Sequence, residues 1–223
     1  MTSHRKISLT AGLLYLLTFV SIPTLSLYSG VKSANYIIGG STDTGAIVGA
    51  LLEVIVALAC IGTAVVLFPV LKRQNEILAL GLVAARIVEA CTIFVGVAFL
   101  MAIVSMHQAN AGDGALASSH TLSVLYDRIF LQGQSFMPAI NDLLLGILLY
   151  KSKLIPRAIS VIGIVGAFPL LASYIAVMFN ATPQHGSTAG AAALLVALFE
   201  FLLGLWLTFK GFNAKAIAAL ESK

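Results

Sequence analysis

Six long apolar runs, separated by short polar gaps, dominate this chain of 223 residues. A helix needs about 20 apolar residues to cross the hydrocarbon of a bilayer. The candidate spans are 7–28, 45–71, 77–105, 125–150, 156–179 and 188–210. Only 10% of the residues are charged, against roughly 25% in soluble domains. That is too few to cover a water-facing surface. The expected fold class is therefore all-α: an integral membrane bundle of six transmembrane helices, forming a single domain over residues 1–223.

The gaps carry the residues that end helices. Gly39, Gly40, Ser41 and Asp43 precede the second span. Lys72, Arg73, Gln74, Asn75 and Glu76 separate the second from the third, and Gly112, Asp113 and Gly114 open the longest gap. Pro156 stands where a helix starts, and there its missing N–H costs nothing.

Charge sets the orientation. Ten of the thirteen Lys and Arg fall in alternate gaps and the ends: Arg5 and Lys6; Lys72 and Arg73; Lys151, Lys153 and Arg157; Lys210, Lys215 and Lys223. The intervening gaps hold only Lys32. Cytoplasmic loops carry the excess of Lys and Arg, so both termini are expected in the cytoplasm and the chain in the inner (cytoplasmic) membrane. The first run follows basic residues, as a signal peptide does, but it extends for about 21 residues. A signal core has about 7–15, so a retained first span is expected.

Several functions find no support. The net charge is +4, yet the basic residues are spread over loops rather than gathered on one face, so nucleic acid is not an expected partner. Cys60 and Cys91 both fall inside apolar runs and read as small buried hydrophobes. His107, His120 and His185 occupy outer gaps without the spacing of metal ligands, so no metal is expected. No phosphate-binding loop, nucleophile elbow or haem-attachment motif is present, and no cofactor is expected. The implied partners are membrane lipid and a small-molecule or ion ligand; the oligomeric state is open.

The informative residues are the polar ones inside the spans. A charge at a helix centre costs about 2.5–3.5 kcal/mol on insertion scales, so such residues are paired, wet or useful. Arg86 and Glu89 lie roughly 14 and 18 Å into the third span, counting about 1.5 Å per residue. Their i,i+3 spacing puts them on one face, able to pair. Glu53 lies in the second span and Glu200 near the middle of the sixth. The fourth span carries Asp127 and Arg128 as an outer-end pair, then Gln134, Pro138, Asn141 and Asp142 along one face. Pro138 leaves the carbonyl of Gln134 without its helical donor, so this helix should face the bundle interior. Glu53, Arg86, Glu89, Gln134, Asn141, Asp142 and Glu200 thus form a candidate buried polar or ligand site, with no catalytic residue assigned. The five acids in the spans outnumber Arg86 and Arg128 by three. Protons, a cation or a water-filled cavity must make up the difference.

Close helix approach is served by small residues four apart, at Gly45 and Gly49, Gly163 and Ala167, and Ala193 and Ala197.

A set of short stretches resembles a bacterial membrane-protein family known as domain of unknown function 4386. They are Leu52-Glu53, Leu67-Phe68-Pro69, Asn75-Glu76 with Leu80-Gly81, and Arg86-Ile87-Val88-Glu89. The run from Leu148 to Arg157, Phe199-Glu200-Phe201, Gly204-Leu205-Trp206 and Lys210-Gly211-Phe212-Asn213 complete the set. The resemblance covers nearly the whole chain. It implies six helices and an inner-membrane location but no activity. It also leads one to expect Asn before Glu200, where this chain has Phe199.

Three functions fit these residues. The first is a non-enzymatic transport or ligand-binding bundle built around the buried charges. The second is a structural or regulatory membrane subunit whose charges only hold the bundle together. The third is an intramembrane lipid-modifying enzyme using a carboxylate as base. It lacks a visible nucleophile–base pair.

Overall fold

The computed structural model describes residues 2–39 and 42–222; Gly40, Ser41 and Lys223 of the sequence reading lie outside them. The described residues form helices without a strand. Helix α1 (Ser3–Thr18) passes through a 3-10 turn, Phe19–Ser21, into the short α2 (Thr24–Leu27). Then come α3 (Thr44–Leu71), α4 (Glu76–Gln108), α5 (Leu116–Leu131), α6 (Met137–Ser152), α7 (Arg157–Met178), α8 (Ser187–Phe209) and α9 (Ala214–Glu221). Among the described residues, five helical segments are long and apolar enough to cross a membrane: Ser3–Leu27, α3, α4, α7 and α8.

The predicted fourth span has a different form. The helices α5 and α6 have 16 residues each and are joined without a break by a π-helical turn, Gln132–Phe136. Pro138 stands two residues past the end of that turn. Its missing N–H and its ring disturb the ladder one turn back, where a wider turn absorbs the mismatch. The predicted long outer gap is also mostly helical, because α4 runs on to Gln108 and α5 begins at Leu116. His107 therefore sits in the last turn of α4 and His120 in α5.

Local chemistry places the ends. The Asn75 side chain accepts the Leu78 N–H at 2.9 Å and starts α4. Lys153, in the left-handed region at φ 57°, closes α6. The break after α1 is furnished with hydroxyls that bond back to carbonyls three residues earlier: Thr18 to Tyr15 at 2.7 Å, Ser21 to Thr18 at 3.0 Å and Thr24 to Ser21 at 2.7 Å. Such back-bonding bends helices, and Pro23 removes a further donor.

One end of the bundle gathers both described termini and two turns. Arg5 donates to the carbonyls of Leu207 and Thr208 at 2.9 and 2.6 Å. Glu221 of α9 meets Arg73 at 3.1 Å, and the Asn213 N–H donates to the Leu154 carbonyl at 2.9 Å. This end holds the Lys and Arg clusters and is called the basic end below. Gly12 lets α1 and α8 touch there: a Cβ on it would lie 2.5 Å from Thr208 Oγ1 and 2.8 Å from the Gly204 carbonyl. Toward the same end, Leu67, Leu145, Leu148, Leu149, Leu203 and Leu207 are fully buried in one apolar cluster.

The opposite end is capped by residues 28–39. Tyr28, Val31, Tyr36 and Ile37 of this stretch pack on Leu100, Ile103 and Tyr126. Tyr36 donates to the Asp43 carboxylate, Gln108 Nε2 donates to its other oxygen at 2.9 Å, and His107 Nδ1 lies 2.7 Å away. These bonds, that of Tyr36 foremost, hold the Asp43 carboxyl below its ordinary range. A depressed value means stability present above about pH 3.9, the unfolded value, and lost as pH falls through the folded one. Hydrogen exchange of residues 28–39 is expected to quicken in that acid window in the wild type. Asp43→Asn should be insensitive to pH there.

A buried guanidinium and its cavity

Arg86 is 1% exposed, and five helices converge on it. Its Nη1 donates to Glu89 Oε2 at 2.9 Å and lies 3.6 Å from Cys60 Sγ of α3. Its Nη2 donates to Glu200 Oε1 of α8 at 2.5 Å and to the Tyr15 hydroxyl of α1 at 3.3 Å. Asn141 of α6 donates its Nδ2 to Glu89 Oε2 at 2.8 Å. The guanidinium also lies 5.4 Å from the centre of the Tyr15 ring, within cation–π range. Such an ion must be paired on several sides, because several kcal/mol of desolvation act against it.

A second polar group stands closer to the capped end. Glu53 is fully buried, and its Oε1 accepts from Tyr126 at 3.0 Å and from Gln134 at 3.3 Å. The Tyr126 ring meets Tyr28 edge-on at 5.5 Å. Gly49 makes room for Tyr28, since a Cβ there would sit 2.6 Å from its ring. Oε2 of Glu53 and the Tyr28 hydroxyl have no partner among the described residues.

A cavity of about 230 Å³ runs from the Arg86 network to Gln134, the partner of Glu53. Arg86, Glu89 and Glu200 line it together with Gln134, and Cys60, Pro138 and Leu170 complete much of the wall. The cavity thus sets three charged side chains among apolar ones such as Val56, Ile93 and Val196. Its described walls hold no Ser–His or Cys–His pair that would make a nucleophile.

Of the predicted site residues, Arg86, Glu89, Asn141 and Glu200 share one bonded network. Glu53 and Gln134 share the other. Asp142 is fully buried beside them, with neither carboxylate oxygen bonded among the described residues. The two outer-end residues have different surroundings. Asp127 pairs with Lys32 of the cap and lies 3.6 Å from His185, while Arg128 is exposed. Neighbours in a helix point about 100° apart, so the two side chains leave in different directions. The cysteines differ too: Cys60 is buried, Cys91 exposed.

Sequence reasoning missed Tyr15, Tyr28 and Tyr126. A buried tyrosine hydroxyl usually finds a polar partner, so Tyr15, deep in an apolar run, carried the available sign, whereas Tyr28 and Tyr126 stand at run ends. Of the small-residue pairs, Gly163 packs on the Phe199 ring, whereas Ala193 and Ala197 line the cavity.

These features define an all-α protein of apolar helices, compatible with a membrane protein, closed around a buried ion-pair network. The chain belongs to the family described as domain of unknown function DUF4386, whose match covers residues 10–211. No curated protein and no solved structure matches it.

Arg86 serves two carboxylates, so removing it strands both. Arg86→Met is expected to lower unfolding stability by about 3–5 kcal/mol, the range for breaking a buried pair. Adding Glu89→Gln should recover part of that loss, because one stranded charge is gone. Thermal unfolding in detergent micelles checks both variants, and a double variant no more stable than Arg86→Met would count against pairing.

Proposed function

We propose that this chain is a multi-pass protein of the cytoplasmic membrane that binds or transports a small molecule or ion at the cavity beside Arg86. In this reading the continuous rod α5–α6 is the sixth crossing, the chain forms one domain, and both termini are cytoplasmic. The excess of Lys and Arg at one end of the bundle supports that orientation. The observation that carries the functional reading is the cavity itself: Arg86, Glu89 and Glu200 meet open space of about 230 Å³ rather than close packing. A charge cluster serving only as a fastener has no need of such space.

The second reading, a structural or regulatory subunit, draws on the same network, because its bonds tie α1, α3, α4, α6 and α8 together. Flux separates the two. Proteoliposomes holding the protein are expected to pass protons or a solute, and Glu89→Gln and Glu200→Gln should each reduce the rate at least tenfold. Unchanged flux in both variants would remove these residues from the mechanism. No flux at all, together with a stoichiometric partner in native membranes, would favour the subunit.

A further inference from the structure

The helices α1 and α8 touch near the basic end and then diverge. Just past α1, Phe19 of the 3-10 turn still meets Phe201 of α8, the rings edge-on at 5.5 Å. Beyond that level the 3-10 turn and α2 lean on α3 instead. The gap reaches the flank of the bundle. Ile22, 72% exposed, and the exposed Ala197 both line the cavity. The cavity thus has a sideways mouth with an apolar lip of Ile22, Ala193 and Ala197.

The chemistry inside is the opposite of the lip. Glu89 and Glu200 both spend one oxygen on Arg86, leaving Oε1 of Glu89 and Oε2 of Glu200 without an N–H or O–H donor among the described residues. Two carboxylates on one guanidinium leave the wall one formal negative charge in excess. Arg86 Nε, buried in the same wall, also has no partner. The complement of this wall is a cation that donates hydrogen bonds and carries an oxygen or a water beside it.

Size limits the rest. A site that engulfs a drug-sized ligand has about 300–1,000 Å³; this one has about 230 Å³. At about 30 Å³ per water in the liquid, that is room for a headgroup and a few methylenes. We propose that the cavity takes the protonated amine headgroup of a single-chain amphiphile, which enters from the bilayer between α1 and α8 and leaves its tail on the apolar lip. This rests on the reading of the cavity as a ligand site in a membrane-spanning chain.

The test uses the full chain in nanodiscs of zwitterionic lipid, with empty nanodiscs as the blank. Isothermal titration with dodecylamine should show binding at least tenfold tighter than with dodecanol, dodecanoate or butylamine. Glu200→Gln should weaken dodecylamine at least tenfold. Ala197→Phe, a change at an exposed position on the lip, should do the same by filling the mouth. Equal binding of dodecanol or dodecanoate would overturn the amine headgroup. Equal binding of butylamine, or no effect of Ala197→Phe, would overturn entry from the bilayer. Flux that depends on Glu89 and Glu200 without dodecylamine binding would sink this inference and leave the transport reading standing. Absence of both flux and binding would remove the two together.

Discussion

A guanidinium shut away from water must surround itself with oxygen. Leaving Arg86 without partners would cost several kcal/mol. A helix that is apolar on every side has no hydrophobic stripe to fix how it rotates against its neighbours. Directional bonds do that work here. Glu89 holds the ion within α4, Glu200 fixes α8, Tyr15 fixes α1, and Asn141 brings in α6 through Glu89. The close crossing at Gly12 and the seating of Tyr28 on Gly49 then supply the tight packing that keeps these bonds in register.

The polar groups are not spread evenly along the bundle. Between the Arg86 network and the basic end lies a layer of fully buried leucines, including Leu67, Leu145, Leu148 and Leu203. Toward the capped end lie Gln134, Glu53 and the tyrosines. The cavity belongs to the polar half. In this conformation its walls open to the flank, while the leucine layer closes the way to the basic end.

Much of this layout was legible in the amino-acid sequence. The long apolar runs required helices, and the i,i+3 spacing of Arg86 and Glu89 required that they share a face. The partners across helices were not legible. Glu200 pairs with Arg86 because two separate helices cross at matching depth, which no local pattern states. Cys60 and Cys91 stand in equally apolar surroundings by sequence, yet one is buried and the other exposed. Hydropathy cannot separate a core-facing from a lipid-facing side when both are oily. Lys32 reaches Asp127 because residues 28–39 fold back over the end of the bundle, a consequence of side-chain packing between distant segments. The wide turn before Pro138 was foreshadowed only by the proline itself.

That wide turn sets the register of the α5–α6 rod. A π turn holds one residue more than an α turn, and one residue corresponds to about 100° of rotation about the axis. Pro138 holds the surplus residue one turn before it, so the stretch beyond is rotated by that angle relative to a regular helix. Gln134 sits inside the turn, and Asn141 and Asp142 lie a few residues beyond it. The side chains beside the charged centre are thus aimed by one surplus residue, at an angle that an unbroken helix would not give them.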